Sequence, residues 1–88
     1  MLSSIVMIRV LITIKLKEGV EDPEGLTITK TLNVLNFKNV KKTSVYKEYE
    51  ILMDNEDLET AKKDANEMCK RLLANPVIHD YSIVVERA

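Results

Sequence analysis

This chain of 88 residues has no tryptophan, one cysteine, one histidine, two glycines and two prolines. A lone cysteine cannot close an intramolecular disulfide, so nothing points to an oxidising compartment. A lone histidine excludes a two-imidazole metal site. Gly19 and Gly25 are too few and too isolated for a glycine-rich phosphate loop, which argues against an independent nucleotide site. Neither sign of charge dominates: thirteen basic and fourteen acidic residues give a net charge of −1. That balance disfavours nucleic acid, which needs a basic face, and equally a polybasic membrane contact. Long apolar runs are missing too, because Arg9 splits the N-terminal stretch before it reaches leader or transmembrane length. The chain is expected to be cytoplasmic. It reads as a single domain over residues 1–88, with residues 1–6 an extension or Met7 an alternative start. A chain this short hides roughly 60–65% of its unfolded surface, so a solitary copy is marginally stable.

What is present is pattern. From Val6 to Lys17, Val6, Ile8, Val10, Ile12, Ile14 and Leu16 alternate as in a strand with one face on a core. Asp22-Pro23 then announces a helix from about Glu24 to Asn36, aspartate as the cap and proline at the first position. Ile28, Leu32 and Leu35 form its apolar stripe, while its threonines are weak helix formers that require tertiary support. Residues 39–53 read as one long bent strand, or as two short strands meeting in a tight turn, because the alternation slips near Lys47 and Glu48. A second helix follows, capped by Asp54 or Asn55, with Leu58, Ala61, Ala65, Met68 and Leu72 at three- and four-residue steps. Asn75-Pro76 stops it at about Ala74, and Tyr81, Ile83 and Val85 alternate into a last strand.

The order β-α-β-(β)-α-β predicts an α+β two-layer sandwich: a mostly antiparallel sheet of three or four strands with two helices on one face. The other sheet face carries Met7, Leu11, Tyr46, Leu52 and Val84, more apolar surface than a solvated face keeps. These residues are the candidates for self-association. No catalytic set emerges. Cys69 lies on the apolar side of the second helix without a base at helical spacing, which reads as a structural thiol. His79-Asp80 reads as a solvated pair in a turn, and Asp54, Glu56, Asp57 and Glu59 as helix capping without the glycine of a calcium loop. Gly25, in the first helical turn, marks either a loose helix start or a close backbone approach by a partner. The aromatics Phe37, Tyr46, Tyr49 and Tyr81 do not form the stacking set of an RNA-recognition domain.

Asp22-Pro23-Glu24-Gly25, Glu48-Tyr49-Glu50-Ile51 and above all Met68-Cys69-Lys70-Arg71-Leu72-Leu73-Ala74-Asn75-Pro76-Val77-Ile78, leading to Asp80-Tyr81, resemble the PurS family. The resemblance spans residues 7–87. The family usually has an acidic residue where this chain has His79, and often a glycine within what is here Ser44-Val45-Tyr46-Lys47. Membership implies the small subunit of phosphoribosylformylglycinamidine (FGAM) synthase, which makes formylglycinamidine ribonucleotide in purine biosynthesis. In that complex a large synthetase subunit (PurL) uses ATP and magnesium, and a glutaminase subunit (PurQ) releases ammonia. The small subunit implied is not catalytic and binds no cofactor. It forms a homodimer or a dimer of dimers and bridges the other two. Asp22, Pro23 and Gly25 at the first helix start, with Asn75, Pro76, Val77, Asp80 and Tyr81 in the last turn, are the expected partner contacts. The rival reading is a regulatory small-molecule domain of ACT-like architecture, for which the loop Glu18–Asp22 is poor in glycine.

Overall fold

A computed structural model describes residues 7–54 and 57–88. Val6, predicted as the first strand residue, lies outside the described residues, as do the extension 1–6 and Asn55. The central strand β1, Met7–Leu16, sits between β2, Lys47–Asp54, and β3, His79–Arg87, both antiparallel to it. With α1, Pro23–Val34, and α2, Leu58–Met68, this is the α+β class that the patterns indicate, with three strands.

Period two decides which face of β1 is buried. Ile8, Val10 and Ile12 are fully enclosed and Ile14 nearly so, and they meet Ala61 and Ala65 from α2 and Cys69 just after it. Small side chains at those positions let the helix axis approach the sheet closely, against the branched side chains of β1. Tyr81, Ile83 and Val85 from β3 and Tyr49, Ile51 and Met53 from β2 flank this core, only partly buried. The helix packs on β1 and β3, leaving the β2 side of the sheet less covered.

Four expectations are corrected. First, α1 does not share the sheet face with α2; it makes at most marginal contact with the strands. Its only buried residue is Gly25, and Leu35 of the expected stripe is 60% exposed. Second, residues 40–46 form no strand, so neither the single bent strand nor the strand pair exists over the full span. The segment runs back along α1 and is fixed to it by side chains. Thr29 Oγ1 donates to Thr43 Oγ1 at 2.8 Å, and Asn33 Nδ2 donates to Val40 O at 3.2 Å. Thr43 and Val45 are half-buried there and Ser44 and Tyr46 exposed, which imitates strand alternation over 43–46. Third, α2 is capped by Asp57, which accepts from Glu59 N at 3.1 Å and Thr60 Oγ1 at 2.7 Å; Asp54 instead ends β2, opposite Met7. Fourth, α2 passes into a π-helical turn, Cys69–Leu73, closed by Ala74 N donating to Cys69 O at 2.9 Å. The wider turn rephases the helix: Leu73 rotates towards the core and Leu72 becomes 81% exposed.

Helix α1 and the returning segment therefore form an arm standing off the end of the sheet. The radius of gyration, 17.5 Å, exceeds the about 12 Å of a compact chain this long. At the arm's tip Asn36 takes a left-handed conformation (φ 78°), and Phe37 N donates back to Leu32 O at 2.9 Å, a Schellman-type stop. At its base Gly25 is indispensable: a Cβ there would stand 2.1 Å from the Thr43 carbonyl oxygen. The backbone that comes close to Gly25 is thus the chain's own. Gly25→Ala is expected to lower the melting temperature although alanine favours a helix by about 1 kcal/mol. An unchanged or raised Tm in a thermal melt would contradict this packing.

Candidate partner-docking end of the sheet

The start of α1 and the turn before β3, far apart in sequence, meet at one end of the sheet. Two adjoining hollows there share Lys15, Leu16, Asp22, Val45 and Tyr46; His79 lines one and Asp80 the other. Of the expected partner contacts, Asp22 and Asp80 border these hollows, and Asn75, Pro76 and Val77 are exposed in the turn leading to them. Pro23 is exposed at the first turn of α1, while Gly25 is buried beneath it. Tyr81 points the other way: its ring packs against the core and its hydroxyl donates to Asn66 Oδ1 of α2.

Asp22 is the joint of the arm. One carboxylate oxygen accepts from Gly25 N at 2.9 Å, capping α1, and the other from Val45 N at 3.1 Å, closing the returning segment. The Gly25 N–H, then the Val45 N–H, hold the pKa of this carboxyl below the usual carboxylate range against a lesser opposing effect of burial, and Lys42 adds to them. The turn has its own lock. Asn75 Oδ1 accepts from Val77 N at 2.9 Å, and Asn75 O from Ile78 N at 3.1 Å and His79 N at 2.8 Å. Asn75 N in turn donates to His79 Nδ1 at 2.9 Å. His79 is therefore engaged in the turn and does not pair with Asp80, whose carboxylate binds Lys17 Nζ at 3.0 Å. Lys17 N also donates to Ile78 O at 2.8 Å, fastening the turn to the end of β1. The sequence missed His79 as a lock; its four-residue spacing from Asn75 across the proline turn was the available signal.

The other sheet face mixes both chemistries. Leu11 lies directly opposite Val84 and diagonal to Leu52, with Leu52 and Val84 about half exposed and Met7 at the margin. Beside them Arg9 pairs with Glu50 at 3.0 Å and Glu86 at 3.3 Å, bridging the three strands. Tyr46 precedes β2 and belongs to the hollows at the sheet end, apart from this group. Cys69 is fully buried and its thiol is pushed up by desolvation, which disfavours the thiolate a nucleophile needs. Among the described residues no group of three His, Cys, Asp or Glu side chains could hold a metal ion, and no helix is long and apolar enough to cross a membrane.

A small α+β chain with ordered turns, an outstanding arm and much uncovered apolar surface belongs to the class of assembly subunits. The family model for PurS, phosphoribosylformylglycinamidine (FGAM) synthase, matches residues 9–87, and the chain belongs to that family. It is 53% identical over 81 residues to the phosphoribosylformylglycinamidine synthase subunit PurS of Methanocaldococcus jannaschii, covering 92% of this chain and 98% of that one. The crystal structure of M. jannaschii PurS, described as one of the subunits of formylglycinamide ribonucleotide amidotransferase in the purine biosynthetic pathway, superposes with a TM-score of 0.85 at 52% identity, covering 92% of this chain and 98% of that chain. A chain of the PurLQS structure from Thermotoga maritima matches with a TM-score of 0.80 at 28% identity, covering 93% of this chain and 98% of that one.

The Asp22 joint predicts an acid dependence. Because its folded-state pKa is depressed, its contribution is present above the ordinary value of 3.8 and is lost as pH falls through the lower folded value. Amide protection at Gly25 and Val45 is expected to decline over that window, and Asp22→Asn to remove most of the decline. Equal pH dependence in both proteins would contradict the assignment.

Proposed function

We propose that this chain is the non-catalytic small subunit of FGAM synthase in purine biosynthesis. It self-associates as a homodimer, or a dimer of dimers, and bridges the ATP-dependent synthetase subunit to the glutaminase subunit. Ammonia released from glutamine then reaches formylglycinamide ribonucleotide within one assembly. ATP and magnesium belong to the synthetase subunit, the small subunit holds no cofactor, and the whole acts in the cytoplasm. The observation that carries this reading is the convergence of α1's start and the Asn75–Tyr81 turn on one end of the sheet, in a chain that is a PurS family member over nearly its whole length.

The chemistry of the surface supports a docking role. The turn is locked by four hydrogen bonds around Asn75 and His79, so a partner meets a preorganised surface and little conformational entropy is lost on binding. Val77, 77% exposed at its tip, offers an apolar anchor beside the rigid Pro76 ring. The lone cysteine and the lone histidine are otherwise committed, Cys69 to the core and His79 to the turn.

Val77→Asp changes an exposed side chain and leaves the lock intact. In the assembled complex it is expected to reduce glutamine-dependent synthesis about tenfold or more, with ammonia-dependent synthesis much less affected. Equal loss of both activities, or no loss of either, would contradict a docking role for this turn.

A further inference from the structure

Four backbone N–H groups are bonded within the turn before β3, and they are not held alike. Val77 N donates to Asn75 Oδ1 at 2.9 Å, while Ile78 N and His79 N donate to Asn75 O at 3.1 and 2.8 Å. Amide and peptide oxygens accept whatever the pH, because they do not titrate. The fourth bond runs the opposite way, with Asn75 N donating to His79 Nδ1 at 2.9 Å. A peptide N–H can only donate, so Nδ1 must keep its lone pair and the ring must be neutral, its proton on Nε2. Residues 75 and 79 are thereby joined reciprocally, each backbone N–H bonded to the other residue. The helix ends one residue earlier, where Ala74 N closes on Cys69 O, which leaves the Asn75 N–H for this ring.

We infer that His79 is a proton-sensitive latch on the docking end of the sheet, an inference that rests on the docking role proposed above and adds its regulation. The neutral ring holds the turn closed through Nδ1, and a proton taken up there sets two donors against each other and releases Asn75 N. The closed turn is present at neutral and alkaline pH and is lost as the ring takes up its proton. A partner that meets the open turn must order Pro76 and Val77 at its own expense, so docking weakens as the latch opens.

The surroundings leave that decision to the lost acceptor. His79 lies opposite Leu16 on β1 and lines the hollow at the sheet end. Around this hollow β1 places Lys15, the start of α1 places Asp22 and Glu24, and the start of β2 places Lys47 beside the Tyr46 hydroxyl. The turn after α2 contributes only the uncharged Leu73. Next to the ring in sequence, Asp80 is taken by Lys17 at 3.0 Å. Attraction to two carboxylates is thus set against repulsion by two ammonium groups, and neither sign dominates. Asp22 also has both oxygens engaged by backbone N–H groups, and its own titration lies below 3.8, outside the range in which histidine changes charge.

His79→Asn puts an amide oxygen where the imidazole Nδ1 stands, an acceptor that does not titrate. Hydrogen exchange at the Asn75 amide, corrected for the intrinsic rate at each pH, reads the latch directly. Its protection is expected to fall about threefold or more from about pH 8 to pH 5 in the wild-type chain, and to stay level in H79N. Wild-type protection that stays level, or that falls equally in H79N, would overturn the latch. Nitrogen NMR of the wild-type ring gives a second reading that needs no variant: a proton on Nδ1 at pH 8 would also overturn it. Affinity for the synthetase and glutaminase subunits, measured for both chains at the two pH values, then reads the regulation. Relative to H79N, the wild type is expected to lose about threefold or more at the lower pH. A constant ratio in the face of falling protection would overturn the control of docking, and would place the failure in the docking role of the turn and not in the latch.

Discussion

Four branched side chains of β1, Ile8, Val10, Ile12 and Ile14, lie against two alanines of α2 and the cysteine that follows it, and this contact makes up the buried core of the described residues. Each such side chain contributes about 1.5–3 kcal/mol when fully enclosed, comparable in sum with the whole net stability of a small domain. The contact is narrow because alanine is small. It fixes α2 close to β1 and β3, and that placement leaves the β2 side of the sheet without a cover. The uncovered half of the sheet and the outstanding arm both follow from one helix being seated tightly and the other held elsewhere.

Hydrogen bonding decides where the second helix goes. Asp22 spends both carboxylate oxygens on backbone N–H groups, one in α1 and one in the returning segment, and Thr29 and Asn33 repeat the link further along. A charged acceptor on two backbone donors is stronger than its neutral counterpart. The arm is therefore a preformed unit and not a loose connection. The same logic orders the opposite end of the chain, where Asn75 and His79 close the turn before β3. Both devices sit at one end of the sheet, and it is this rigid end that suits a subunit placed between larger partners.

Much of this was legible in the sequence, for definite reasons. The alternation in β1 and the alanine-lined stripe of α2 are set by burial on one face, which sequence periodicity reports directly. The Asp22-Pro23 start and the Asn75-Pro76 stop rest on local backbone chemistry, and both hold. Four things were not legible. Residues 43–46 alternate beside a helix and not within a sheet, and period two does not reveal what lies opposite. A single wide turn at Cys69–Leu73 moves Leu72 from the core to the surface without changing the composition. The stripe Ile28, Leu32 and Leu35 announces that something must cover α1 but not whether the cover belongs to the same chain. Choosing among Asp54, Asn55 and Asp57 as a helix cap needed geometry, since the residue types are equally suited.

The central claim is that this fold is incomplete in a single copy, with folding and association coupled. The melting temperature as a function of protein concentration tests it most directly, since a chain stabilised by its own partner obeys mass action. The account predicts a Tm that rises steadily from nanomolar to high micromolar concentration, in step with the loss of monomer. A Tm independent of concentration, for a chain that remains monomeric throughout, would contradict it.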